Sequence, residues 1–111
     1  MQDRFKFRAW DSIAKEYIFD SYALYELFVN DIDNSYQVEQ CTGLKDKNGK
    51  LIYEGDIVEV PVLYNGIPTG KKQRCKVYYK HGAFNIYVVK SKYLKVVGNI
   101  HENPELLEDN K

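Results

Sequence analysis

Thr42-Gly43-Leu44-Lys45-Asp46-Lys47-Asn48-Gly49-Lys50-Leu51-Ile52-Tyr53-Glu54-Gly55-Asp56-Ile57-Val58-Glu59-Val60 is the most heavily punctuated stretch of the chain, and the fold is read outward from it. Asn48-Gly49 lies between strand-like flanks, and both residue types tolerate the positive φ that a two-residue hairpin turn demands. Glu54-Gly55-Asp56 supplies a second tight turn. It releases the chain into Ile57-Val58-Glu59-Val60, where Ile57 and Glu59 alternate with Val58 and Val60 as in a strand. A Gly-Asp turn feeding a valine-rich strand is common at the start of small SH3-like barrels, so the analogy points to a small β-barrel.

Toward the N-terminus, Arg4-Phe5-Lys6-Phe7-Arg8-Ala9-Trp10 alternates charged and apolar side chains with period two, the mark of a half-buried strand with Phe5, Phe7 and Ala9 on one face. Asp11-Ser12 interrupts it and Glu16-Tyr17-Ile18-Phe19 resumes it, which predicts a hairpin with its loop near residues 11–15. Leu24, Leu27 and Phe28 fall at helical spacing after Asp20 or Ser21 as a cap, so a short helix is predicted. Tyr36-Gln37-Val38-Glu39-Gln40-Cys41 then alternates again, with Tyr36, Val38 and Gln40 on one face.

Toward the C-terminus, the two turn signals in Tyr64-Asn65-Gly66-Ile67-Pro68-Thr69-Gly70-Lys71-Lys72 predict a projecting loop. Residues 74–79 and 84–89 read as a hairpin across Lys80-His81-Gly82-Ala83, and residues 94–100 as a last strand. Asn103-Pro104 opens a short helix, with Asn103 as its cap and Pro104 at its first position. About eight short strands by pattern counting predict a mainly β fold: a small barrel-like body with an SH3-like element, an N-terminal β-hairpin and one or two short helices. A single domain over 1–111 is expected, with sub-lobes at 1–41 and 42–111.

The composition agrees with a small globular β protein. The chain has 111 residues, 44% hydrophobic and 29% charged, with only seven glycines and three prolines, which excludes a disordered or fibrous chain. Ten tyrosines favour strands and half-exposed surfaces. No apolar run resembles a signal peptide or a bilayer span, so a cytoplasmic protein without a membrane partner is expected. Cys41 and Cys75 then read as reduced thiols rather than a bridge. A zinc site from Cys41, Cys75, His81 and His101 lacks metal-ligand spacing, and no cofactor is expected.

Three blocks carry a family resemblance: Lys6-Phe7-Arg8-Ala9-Trp10-Asp11, the central stretch from Thr42 to Val58, and Val97-Gly98-Asn99-Ile100-His101-Glu102-Asn103-Pro104-Glu105-Leu106-Leu107. In this order they resemble the YopX family, small proteins encoded by phages and prophages of bacteria. The resemblance implies a mostly β fold with an SH3-like element, action in the cytoplasm of a bacterial host, and a tendency to self-associate. It implies no catalytic mechanism.

The central block is explained by structure alone if Gly43, Asn48, Gly49 and Gly55 take special backbone angles, Asp46 and Asp56 accept turn amides, and Leu44, Ile52, Tyr53, Ile57 and Val58 fill the core. The chemical alternative gathers Asp46, Glu54 and Asp56 beside Tyr53 as a carboxylate cluster for a metal or for acid/base work. Nucleophile elbows and phosphate loops are absent from the sequence, so a non-enzymatic protein is expected.

Charge supplies the sharper hypothesis. Sixteen basic and sixteen acidic residues cancel, yet residues 1–60 carry 7 basic and 12 acidic side chains and residues 61–111 carry 9 and 4. From Lys71 to Lys95 there are eight basic residues and no acid, interleaved with tyrosines. Such a segment suits single-stranded nucleic acid, with Lys71, Lys72, Arg74, Lys76 and Tyr78 as the candidate contacts. It equally suits the acidic half of a second copy, where Asp11, Glu16, Asp20, Glu26, Asp31, Asp33 and Glu39 lie, or a host or phage protein. Self-association or another protein partner is the favoured reading.

Overall fold

The computed structural model describes residues 6–19, 22, 24, 25, 35–88 and 90–108. The fold is mainly β. The strands are β1 (Phe7–Asp11), β2 (Glu16–Ile18), β3 (Tyr36–Lys45), β4 (Leu51–Tyr53), β5 (Asp56–Tyr64), β6 (Ile67–Lys76), β7 (Tyr79–Lys80), β8 (Ala83–Phe84) and β9 (Lys95–Asn99). They form a four-stranded sheet in the order β2-β1-β3-β4, a three-stranded sheet β6-β5-β9 and the small β7-β8 pair, and every pairing is antiparallel.

β3 serves two partners. Its first half pairs with β1 and its second with β4, with a register shift between Cys41 and Lys45 where Gly43 adopts φ 84°. The apolar core lies between the sheets: Ile52, Val58, Val77, Phe84, Ile86 and Leu94 are buried together, and Leu44, Val60, Cys75 and Val96 pack against them. The predicted core positions Ile52, Tyr53, Ile57 and Val58 are all buried.

Both turns of the central block form at the positions read, but the first is not a two-residue turn with Asn48 at positive φ. Asp46 N–H donates to the Lys50 carbonyl and the Gly49 amide to the Asp46 carbonyl, so Lys47-Asn48-Gly49 closes the β3–β4 hairpin with only Gly49 at positive φ, 81°, and Gly55 turns at φ 88° between β4 and β5. The N-terminal hairpin also forms, its loop held by Asp11, whose Oδ1 accepts the amides of Ile13 and Ala14. Of the predicted helix over 21–29, Tyr22, Leu24 and Tyr25 are helical with Leu24 buried, and the rest lies outside the described residues.

Four further expectations are corrected. Residues 64–72 are not a loop: β5 and β6 continue as a ribbon to a turn of only Asn65-Gly66, at φ 51° and 79°. That residue pair is the preferred chemistry of a two-residue hairpin turn, and a register shift between Pro61 and Leu63 absorbs the irregularity. The strand predicted over 84–89 ends at Phe84 and becomes a 3-10 turn, Asn85–Val88. Asn85 replaces the ladder with its side chain, accepting the Tyr78 amide and donating to the Lys76 carbonyl. Asn103 does not cap the terminal helical turn (Glu105–Glu108); its Oδ1 accepts the amide of Asn99 behind it.

The fourth correction is that β1 buries both of its faces and that β3 buries Glu39 rather than Val38. Ala9 is inside as read, but Arg8 and Glu39, read as the solvent side of alternating strands, are also only 5% and 1% exposed, whereas Val38 is exposed. They sit directly opposite one another across β1 and β3, so each supplies the charge the other needs to enter the interior.

Gly55 lies against this pair. A Cβ there would stand 2.6 Å from Glu39 Oε2, whereas one on Gly70, also at positive φ, would meet nothing within 4 Å. Gly70→Ala is therefore expected to cost about 1 kcal/mol, the backbone term alone. Gly55→Ala adds a clash with a buried carboxylate and is expected to cost more than about 3 kcal/mol in urea melts; equal losses would refute the packing argument.

Candidate functional site

At the centre of the described structure is the Arg8 guanidinium. Nε donates to Glu39 Oε1 at 2.8 Å, and Nη2 donates to Asp56 Oδ1 at 2.9 Å and to the Glu54 carbonyl at 3.2 Å. Its carbon stands 4.0 Å from the centre of the Tyr17 ring and 4.7 Å from that of Tyr53, so two aromatic faces cover the cation. Glu39 is further engaged by the Tyr17 hydroxyl at 3.2 Å and by His101 Nε2 at 2.7 Å. His101 in turn stacks on Trp10, with centroids 4.8 Å apart and planes within 5°.

Burial disfavours a charged Arg8, but the carboxylates of Asp56 and Glu39 outweigh it and hold the guanidinium above its ordinary pKa. Burial likewise pushes the Tyr17 phenol well up, Arg8 opposing the rise only in part. Asp56 is raised by burial despite Arg8 and the Tyr53 amide, which donates to its Oδ2 at 2.8 Å.

Arg8 Nη1 has no protein hydrogen-bond partner among the described residues. No buried side-chain nitrogen or oxygen among them lacks a partner, so Nη1 borders open space. The space that Arg8 lines is a cleft of about 550 Å³, walled by Tyr17, Phe19 and Tyr53 and edged by Lys45, Lys50, Asn99 and Glu102.

The carboxylates proposed as a chemical cluster have separate tasks. Asp46 Oδ1 accepts the amides of Asn48 and Lys50 in the β3–β4 turn, and its Oδ2 accepts that of Val96, tying the turn to β9. Glu54 Oε1 accepts the Gln40 amide, and Asp56 belongs to the Arg8 cluster. Cys41 is buried, Cys75 contacts Asn85, His81 occupies the β7–β8 turn and His101 holds Glu39. Among the described residues no three His, Cys, Asp or Glu side chains form a metal-holding group.

The basic candidates divide. Lys71, Lys72 and Lys76 are exposed along β6, an edge strand, and Tyr78 follows, 42% exposed. Lys72 pairs with Glu59 at 3.4 Å, and the half-buried Arg74 donates to the Leu106 carbonyl. Glu39, counted above among the acidic surface charges, is spent on Arg8.

The match to the family described as YopX protein covers residues 23–108. The chain belongs to this family. Among solved structures, the crystal structure of protein EF1440 from Enterococcus faecalis is similar, with a TM-score of 0.64 and 30% identity over 92% of this chain and 96% of that one. Comparison with curated proteins gives no match. In this YopX chain the central and C-terminal blocks build the junction around Arg8. Gly55 N–H donates to the Val77 carbonyl while its own carbonyl accepts the Ile100 amide, and Asn99 Oδ1 accepts the amides of His101 and Glu102.

Sequence reasoning did not identify Arg8, Glu39, Tyr17 or His101 as a group. One signal was present: Cys41, the small apolar residue of its strand, shares a face with Glu39 by period two, and anchoring the strand on Cys41 places Glu39 inside.

Asp46 has a pH signature. Burial pushes its carboxyl up, but the amides of Val96, Lys50 and Asn48 prevail and hold it below its ordinary 3.8. Below that pH the unfolded chain binds a proton the folded one does not, so stability falls on acidification. Asp56, raised in the folded state, contributes with the opposite sign. Comparison with Asp46→Asn isolates Asp46: the variant is expected to be less stable by about 1–3 kcal/mol at neutral pH. The gap should narrow as pH drops below 3.8 in urea melts; a pH-independent gap would contradict this.

Proposed function

We propose that this YopX protein is a non-enzymatic, self-associating binding module of phage or prophage origin, working in the cytoplasm of its bacterial host. The observation that carries the reading is the β5–β6 ribbon. Its tip presents Tyr64 and Ile67 at 72% and 67% exposure, paired across the ribbon on one face, and Leu63 at 51% opposite Pro68 on the other. Exposed apolar surface of this kind marks an interaction site. Lysines along the β6 edge oppose direct pairing of like edges, so the reading places the apolar tip and its basic flank against the acidic N-terminal region of a second copy. No helix among the described residues is long and apolar enough to cross a membrane.

The reading takes the chain as a single domain with an SH3-like element. Its support is the sequence of a β3–β4 hairpin, a β5–β6 hairpin, a 3-10 turn at Ser91–Tyr93 and a β9 that returns to β5.

Nucleic acid is the second reading, favoured by the exposure of Lys71 and Lys76 on the β6 edge strand and of Tyr78 just beyond its end. It is narrower than the sequence suggested, because Arg74 and Lys72 have protein partners.

Light scattering over a concentration series tests the first reading. The protein is expected to form oligomers, and a Leu63→Ser/Ile67→Ser double variant to be monomeric with an unchanged melting temperature, both side chains being exposed. A monomeric parent at high concentration would refute self-association. Salt-titrated binding of single-stranded oligonucleotides, lost in Lys71→Ala/Lys76→Ala, would shift the conclusion to the second reading.

A further inference from the structure

We infer that the cleft beside Arg8 is a binding site for a small anion carried on a flat apolar body, in which a carboxylate or phosphate group receives Arg8 Nη1. Burial and bonding are mismatched at Arg8. Arg8 is 5% exposed, its Nε and Nη2 are fully used, and its Nη1 has no protein partner while bordering open space. A guanidinium serving only as an internal tie would turn its remaining donors to carbonyls or leave them on the surface. Here the donor is fixed in place by the Tyr17 and Tyr53 rings and by two carboxylates on the other side, so its direction is set before any ligand arrives.

The sign of the ligand follows from what is unspent. Of the acids at the cleft, Asp56 has Oδ1 on Arg8 and Oδ2 on the Tyr53 amide, and Glu102 Oε1 accepts from Asn99 Nδ2, which leaves Glu102 Oε2 as an acceptor without a partner among the described residues. Glu39, behind the guanidinium, is engaged by Arg8, Tyr17 and His101. The cations are less occupied: Lys45 and Lys50 on the edge make no ion pair with a described residue. Free hydrogen-bonding capacity is therefore mostly donor capacity, which selects an oxygen acceptor with negative charge.

The shape of the ligand follows from the wall. Phe19 meets both Tyr17 and Tyr53 at 6.0 Å between centroids, making a continuous aromatic surface beside the charged floor. Phe19 is 58% exposed, so this surface is open to a ligand approaching from solvent. A cleft of about 550 Å³ has room for a single ring with its acidic substituent.

The test uses the full chain, 15N-labelled, titrated with phenyl phosphate, with benzoate and with neutral benzamide, each followed by amide chemical shifts. Saturable shifts centred on Gly49, Lys50, Gly98 and Asn99 are expected for the anions and not for benzamide. Arg8 variants can fail to fold, so the second arm uses the exposed Lys45→Ala/Lys50→Ala protein, which is expected to keep its spectrum and bind the anions about tenfold more weakly. Phenyl phosphate alone saturating assigns the site to phosphate esters, and benzoate alone to carboxylates. Shifts equal for benzamide, no saturation by about 10 mM of either anion, or binding unchanged in the double lysine variant would each overturn the inference.

Discussion

A buried guanidinium between two tyrosine rings ties the four-stranded sheet to the turn that opens the second sheet. Arg8 comes from the N-terminal hairpin, Glu39 from the long third strand, the Glu54 carbonyl and Asp56 from the turn that starts the second sheet, and His101 from the segment after the last strand. Each contact spans thirty or more positions of sequence. Removing one partner of such a cluster strands the other charge in the interior, typically at about 3–5 kcal/mol, so its members stand or fall together.

The turn at Gly55 belongs to the same constraint. Its backbone must approach the Glu39 carboxylate more closely than any side chain allows, while its N–H and C=O are committed to Val77 and Ile100. Asp56 then presents one oxygen to Arg8 and the other to the Tyr53 amide. The Glu-Gly-Asp triplet is thus a junction: a carbonyl, a missing Cβ and a carboxylate, each used by a different partner. Asp46 does comparable work at the other end of the sheet, where one carboxylate closes a turn and reaches β9. The acids of the family block act as acceptors for fixed amides and a buried cation.

This division of labour bears on function. The acids of the central block are engaged in architecture, while its Lys45, Lys50 and Tyr53 border the cleft beside Arg8. The β5–β6 ribbon was hidden because Pro61, Pro68, Gly66 and Gly70 all read as breakers, whereas an edge strand tolerates proline and a two-residue turn uses Asn65-Gly66. The arginine cluster was hidden for another reason. Periodicity assigns faces from hydrophobicity, and it assigns them wrongly where a buried face is built from charges that neutralise one another. Val38 exposed and Glu39 buried is that error in a single pair of residues.

The sequence by itself determined the β character, the positions of the turns at Gly49 and Gly55, the core residues Ile52, Ile57 and Val58, and the family, because turn chemistry and alternation are local properties written within a few positions. Only the tertiary structure decided that β1 buries its Arg8 face as well as its Ala9 face, that β3 turns Glu39 rather than Val38 inward, that three carboxylates part to separate amides and one cation, and that a buried arginine lines a cleft. Those outcomes depend on charges brought together from positions 8, 39, 56 and 101, and no local window contains the partner that makes burying any one of them tolerable.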